Sequence, residues 1–403
     1  MKKLFTLIFI CVYVFAKADY WTQKASLTGG IRYTAVGFSI GTKGYIGTGY
    51  GTAYLNDFWE YDPSTNIWTQ KANFGGAPRY FAVGLSIGSK GYIGLGQSPS
   101  SFYQDFWEYN PATNTWTQKA DFGGGLRAFT PTAFSISGYG YVGLGHDGVM
   151  DKNDFWQYDT LLNIWTQKAF FPGTPRELAM GFSMGNKGYI GTGDVSVTST
   201  YMQDFYEYDP VNDTWTTLAN FGGSARFGAC GFSIGNKGYC GVGFTNGPSV
   251  VKDFWQYDPV TNSWVQKTDL GGVARSHSVG FSIGSKGYIG TGFSFVGSHL
   301  DDFWEYTPDS TTSVEEFPVY SLQFTVYPNP AKEFIDVSLE FGDKTKYEIT
   351  ITDINGKKIY HTNLDTRYLI LDTKINVSDF SNGIYFVAID NGNQKAVRKL
   401  VKQ

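Results

Sequence analysis

A chain of 403 residues has length for two or three domains, and 32 Lys and Arg against 36 Asp and Glu give it none of the basic excess that a nucleic-acid surface needs. Fifty Gly with 32 Phe, 28 Tyr and 11 Trp point to many short strands and tight turns. Of three Cys, Cys11 lies in an N-terminal apolar run, so only Cys230 and Cys240 remain beyond it and a disulfide scaffold is excluded.

The chain opens with Lys2 and Lys3, an apolar run over residues 4–15, and Ala-Lys-Ala before Asp19. This pattern predicts a signal peptide over residues 1–18, with a run too short to span a bilayer. The expectation is an exported protein with no membrane-spanning segment.

From Trp21 a repeat governs the sequence. The pentapeptide WTQKA at Trp21 returns at Trp68, Trp116 and Trp165 and drifts at Trp215 and Trp264. An Arg follows each time, at Arg32, Arg79, Arg127, Arg176, Arg226 and Arg275. A Gly-rich stretch then begins at Gly44, Gly91, Gly140, Gly188, Gly238 and Gly287, and an Asp-Phe-aromatic motif at Asp57, Asp105, Asp154, Asp204, Asp253 and Asp302. Each unit reads as four short strands, A to D, exemplified by AVGFSIG, GYIGTG, DFWEYD and NIWTQKA. Four strands repeated every 47 to 50 residues predict a β-propeller. The sixth unit stops after its C strand, so residues 20–25 must supply its D strand and close the ring.

The Tyr and Trp at Tyr61 and Trp68, and at the corresponding places of the next four units, together with the Arg opening strand A and the glycines ending strand B, resemble the kelch repeat of galactose-oxidase type. The resemblance covers residues 19–308 and implies an all-β, six-bladed β-propeller. Where that family has Gly-Gly after strand B, this chain has Gly-x-Gly, as in Gly47-Thr48-Gly49, expected to make the same bend.

Residues 309–319 are rich in Ser, Thr, acidic residues and Pro and read as a linker. Residues 320–403 predict a small C-terminal β-sandwich, with one hairpin across Asn355-Gly356, suited to a type I′ turn, and another around residues 391–393. VYPNPAKEFIDV, DINGKKIY, FSNGIYFVAI and KAVRKLVKQ, in that order at the chain end, resemble the type A C-terminal sorting domain of the type IX secretion system. That resemblance implies a source among the Bacteroidetes, the type IX machinery as partner, and export across both membranes, ending secreted or attached to the cell surface.

No P-loop or HExxH motif occurs, and His146, Asp147, Asp151 and Asp154 have the spacing of no zinc or EF-hand site. No metal, cofactor or catalytic residue is therefore assigned. Copper chemistry of galactose-oxidase type is disfavoured because Cys230 and Cys240 stand where other units carry core residues such as Val36 and Ile46. The six Arg invite a reading as a cationic ring at the channel mouth, but an Asp opens every C strand on the same side, and a residue present in all units serves each unit; the ring is read as structural. Specificity is expected where the units differ, in the B-to-C loops, where Tyr54, Phe102, Tyr103, His146, Tyr201, Phe244 and Phe295 offer rings to a glycan or a protein partner. His277 and His299, both in the last unit, are the place to look for a general base. The function expected is a binding module for glycan or protein; the alternative is a carbohydrate-active enzyme, a sugar mutarotase or lyase-like, on the same scaffold.

Overall fold

The computed structural model describes residues 18–247, 249–295, 298–309, 324–340, 346–365, 370–390 and 395–403. The signal peptide and linker expectations fall almost wholly outside them. Among the described residues the chain is all-β and contains no helix long and apolar enough to cross a membrane. It divides into two compact units, residues 1–311 and 312–403.

The first unit contains six antiparallel sheets built on four strands each. In the first of them strand A is Val36–Ile40, B Lys43–Gly47, C Phe58–Asp62 and D Ile67–Gln70. The two-residue A-to-B turn places Gly41 at φ +58°, a left-handed conformation that glycine adopts without steric cost. Each A strand packs on the A strands of both neighbouring sheets, and the cycle closes where Val279–Ile283 meets Val36–Ile40. The approach is close enough to require glycine: a Cβ on Gly84 would stand 2.6 Å from Val36 Cβ.

Rings lock each sheet to the next. Phe58 at the head of a C strand lies 4.8 Å and 5.0 Å, centroid to centroid, from Tyr109 and Trp116 of the following sheet, and the same edge contacts recur from Phe106, Phe155, Phe205, Phe254 and Phe303. A polar latch runs beside them. Asn66 Oδ1 accepts from the Tyr61 hydroxyl and from the Ala25 amide, while Trp68 Nε1 donates to the Ala25 carbonyl.

The N-terminal strand completes the sixth of these sheets. Tyr20–Lys24 pairs antiparallel with Phe303–Thr307, with Trp21 opposite Tyr306. Trp21 fills the slot between Phe254 and Tyr306, both 5.0 Å away, and its Nε1 donates to the Thr268 carbonyl. Asp19 takes the part that Asn66 plays in the first sheet, accepting from the Tyr306 hydroxyl and the Thr268 amide.

Cys230 and Cys240 are free and buried. In sequence, Asn236-Lys237 reads as the A-to-B turn of this unit, which would pair residue 240 with 233; the turn forms one residue earlier, and Ser233 faces Gly238 while Cys240 faces Gly231. The side chains still point to opposite faces, into separate cores. Burial pushes the Cys230 thiol up to about 12.

In the second unit a three-stranded sheet, Phe324–Tyr327, Phe334–Glu340 and Ile370–Asn376, and a four-stranded sheet, Lys346–Asp353, Lys358–Asp365, Gly383–Asp390 and Lys395–Lys402, enclose one core around Ile335, Ile349, Val387 and Leu400. The hairpin at Asn355-Gly356 departs from the expected two-residue turn. Gly356 alone is left-handed, at φ +80°, and Asp353 Oδ1 accepts from the amides of Asn355 and Lys357, a wider turn that leaves a bulge in the register. The strands flanking the second expected hairpin pair, Asp390 opposite Lys395, but residues 391–393 lie outside the described residues.

Trp21→Ala removes the ring between two neighbouring aromatics at the closure, and a loss of about 3 kcal/mol is expected in urea unfolding. An unchanged unfolding midpoint would show that this strand does not hold the ring together.

Candidate functional site

The six Arg side chains are buried, none more than 1% exposed. Arg32 shows why: its two terminal nitrogens grip Asp57 at 2.7 and 2.8 Å and also donate to the carbonyls of Thr48 and Gly29. Asp57 in turn accepts from Trp59 Nε1. Arg79, Arg176, Arg226 and Arg275 hold Asp105, Asp204, Asp253 and Asp302 in the same two-pronged way, and Arg127 holds both oxygens of Asp154 through one nitrogen, Nη2. Such a guanidinium has its donors committed and presents no free cation to a ligand.

What the clamps position is a ring of residue pairs. Just after each Arg, and just after each Gly-x-Gly bend, one residue bridges to the other across an antiparallel contact. Going round the ring, these pairs are Tyr33 with Tyr50, Tyr80 with Gln97, Phe129 with His146, Glu177 with Asp194, Phe227 with Phe244, and Ser276 with Phe293. The bend itself is left-handed at two successive residues, Thr48 and Gly49 in the first sheet, with the same pattern in the other five. Inside the pairs, Thr34 N donates to the His277 carbonyl, His277 N to Gly228, Gly228 N to Leu178 and Leu178 N to Thr130, so backbone bonds join neighbouring sheets around the axis.

Rings dominate the mouth. Tyr33 stacks on His299 at 4.6 Å and meets Tyr50, Tyr80 and His277 edge-on. Tyr54 packs on Tyr50 and Tyr80, and Tyr201 packs edge-on against Phe227 at 4.8 Å. His277 reaches Phe81 and Phe227 and shares a 2.9 Å bond with Ser276 Oγ. Burial pushes its imidazole down to about 4, so it is neutral at physiological pH.

Of the residues singled out in sequence, Tyr54, His146, Tyr201, Phe244, His277, Phe295 and His299 thus lie in or beside this cluster, with Phe295 packed on Phe244 and Phe293 and 58% exposed. Two stand apart. Tyr103 covers the Arg79 guanidinium, 3.9 Å from ring centroid to Cζ, and bonds Ser98. Phe102 is exposed above Gly148.

Three carboxylates went unrecognised as a group in the sequence. Glu177 and Asp194 form the one acidic pair of the ring, and Asp151 is drawn to them because its Oδ2 accepts from the amide and hydroxyl of Ser196, two residues from Asp194. One oxygen of each, Asp151 Oδ1, Glu177 Oε2 and Asp194 Oδ1, is buried without a hydrogen-bond partner. Burial first, then the charges of Asp151 and Asp194, push the Glu177 carboxyl up to about 8. His146 does not join them as a ligand: its Nδ1 accepts from the Gly148 amide, and Asp147 is tied to Lys152 at 2.5 Å. Among the described residues no group of His, Cys, Asp or Glu is placed to hold a metal ion.

Two other features carry less. A groove of about 800 Å³ between the fifth and sixth sheets is lined by Lys252, Asp253, Asp269, Asp302 and Trp304, but Asp253 and Asp302 are already clamped to Arg226 and Arg275. The string Gly-x-Ser-x-Gly runs through five of the six A strands, as at Gly37–Gly41, but its Ser sits in regular pairing, Ser39 opposite Gly44, and not on the sharp strand-to-helix turn that exposes a nucleophile.

Residues 325–403 match the family of secretion system C-terminal sorting domains, which marks proteins exported by the type IX system to the cell surface or the medium. Compared by sequence with curated proteins, the chain matches none. Among solved structures it is similar to that of YjhT, at 17% identity, over 70% of this chain and 95% of that one, with a TM-score of 0.60. That likeness is one of fold and fits a propeller-like first unit.

Glu177 gives the site a pH signature. Its folded-state carboxyl titrates near 8, above the ordinary 4.5, so the folded protein binds the extra proton between those values and stability falls as pH rises through them. Glu177→Gln is expected to flatten this dependence, gaining on the order of 2 kcal/mol relative to wild type between pH 5 and pH 8 in urea unfolding. Parallel stability curves for the two proteins would rule out a protonated Glu177.

Proposed function

We propose that the chain is an exported six-bladed propeller of kelch type, delivered by its C-terminal sorting domain, whose loop face binds a glycan. The observation that carries this reading is the composition of the mouth. Of the twelve residues in the six bridging pairs, eight bear rings, and the pairs differ from sheet to sheet while the clamps beneath them repeat. Rings with a polar edge give stacking area at low conformational cost and leave hydroxyl and imidazole groups for sugar hydroxyls. The clamped Arg side chains weigh against an acidic partner loop, since they offer no free positive charge.

The enzymatic alternative draws on Glu177, a protonated acid beside two carboxylates, but a sugar mutarotase or lyase also needs a group to stabilise developing negative charge. Every repeated guanidinium is committed to an Asp, which favours binding over turnover.

Screening the exported protein on a glycan array identifies a ligand for titration. Tyr33→Ala and Tyr201→Ala are each expected to weaken its binding by about tenfold. Ser64→Ala and Ser89→Ala, on the turns of the opposite face, are expected to leave it unchanged. Loss of binding on the Ser side alone, or turnover of a sugar that stops with His277→Ala or His299→Ala, would displace the binding assignment.

A further inference from the structure

We infer that the carboxylates of Asp151, Glu177 and Asp194, beside the ring of Tyr201, form the subsite for a primary ammonium, carried by an amino sugar with an unacetylated amine. The inference rests on the glycan reading and names its ligand class.

The three side chains come from two successive sheets and have no counterpart in the other units. The bridge between Glu177 and Asp194 sets two of them side by side, and the Ser196 tether brings the third. Asp151 is nine-tenths buried with Oδ1 unbonded, and Glu177 and Asp194 each add another buried oxygen without a partner. One proton held among the three satisfies at most two of these oxygens, so the site retains an unfilled demand for hydrogen-bond donors. Leaving it unfilled is costly, because a buried polar atom without a partner loses its hydration with no return.

Among the described residues no cationic side chain meets that demand. Lys152 is turned to Asp147, and Arg176, next to Glu177 in the chain, is committed to Asp204 and to the carbonyls of Thr174 and Thr192. A primary ammonium carries one positive charge and three N–H donors, matching three acceptor oxygens in number and offsetting their mutual repulsion. It also bonds at about 2.8 Å, a longer reach than metal coordination allows.

The surroundings favour a sugar as the carrier. Tyr201 is paired in register with Asp194 and packs against Phe227 and Phe244, so rings stand directly beside the carboxylates. The backbone bonds from Thr34 to Thr130 run around the axis, and the His277 ring lies against Phe81. An amine attached directly to a pyranose lies at the depth of the ring, so a sugar stacked on Tyr201 brings its amine beside Asp194, the residue paired with Tyr201.

The test compares a β-1,4-linked glucosamine tetrasaccharide with its fully N-acetylated counterpart by calorimetry at pH 6.5 on the full mature chain. The free amine is expected to bind at least about tenfold tighter, the value of one to two charge-assisted hydrogen bonds. Asp194→Asn and Asp151→Asn, checked for wild-type melting, are expected to bring the ratio near one. Equal affinity for both sugars, or a preference unchanged in both variants, overturns the ammonium subsite; if Tyr201→Ala still weakens the common affinity, glycan binding itself stands. Binding of neither sugar alongside tight binding of a lysine-rich peptide overturns both the amino-sugar inference and the glycan reading.

Discussion

The structure of the first unit depends on one buried ion pair made six times. A guanidinium out of contact with water is tolerable only when a carboxylate and enough acceptors surround it. In the first sheet those acceptors are the carbonyls of Gly29, before strand A, and Thr48, after strand B, together with Asp57 at the start of strand C. One side chain therefore fixes three chain segments at the mouth. The carbonyl of Thr48 is held while the backbone bends left-handed through Thr48 and Gly49, and the next residue, Tyr50, is delivered opposite Tyr33. The framework and the variable positions are parts of the same geometry.

This arrangement separates what must be constant from what is free to change. The Arg, the Asp, the bend and the C-strand Phe are spent on holding the sheets in a ring. At the residues one or two steps beyond the Arg and one step beyond the bend the six units diverge into tyrosines, phenylalanines, a glutamine, a histidine, a serine and one acidic pair. Cyclic symmetry makes the scaffold stable, and departure from it at a fixed place makes an asymmetric site. Closure by Tyr20–Lys24 extends the logic, since it joins the two ends of the ring through the same Tyr-to-acceptor latch, with Asp19 standing for Asn66.

Much of the scaffold was legible in the sequence because it is written six times: strand order, the out-of-phase N-terminal strand and the Arg-Asp partnership all follow from spacing. Registers within turns were less so. A one-residue shift separates Asn236-Lys237 from the turn that forms, and Asn355-Gly356 closes a wider loop because Asp353 captures the amides of Asn355 and Lys357. For the candidate site, attention to long loops found Tyr201, Phe244 and His299 but passed over Glu177 and Asp194. Their positions were available at fixed offsets from Arg176 and from the Gly-x-Gly bend. Asp151 was not, because only the tertiary bond to Ser196 brings it across from the preceding sheet.

The central claim is that the Arg-Asp pairs are framework and that recognition belongs to the pairs above them. A double-mutant cycle on Arg79 and Asp105 tests it most directly. Arg79→Met strands the largely buried Asp105 carboxylate, its side chain 20% exposed, and should cost about 3 kcal/mol in urea unfolding, while Arg79→Met combined with Asp105→Leu should recover most of that loss. If Arg79→Met instead unfolds like wild type and loses only its ligand, the clamps are the binding site and the account is wrong.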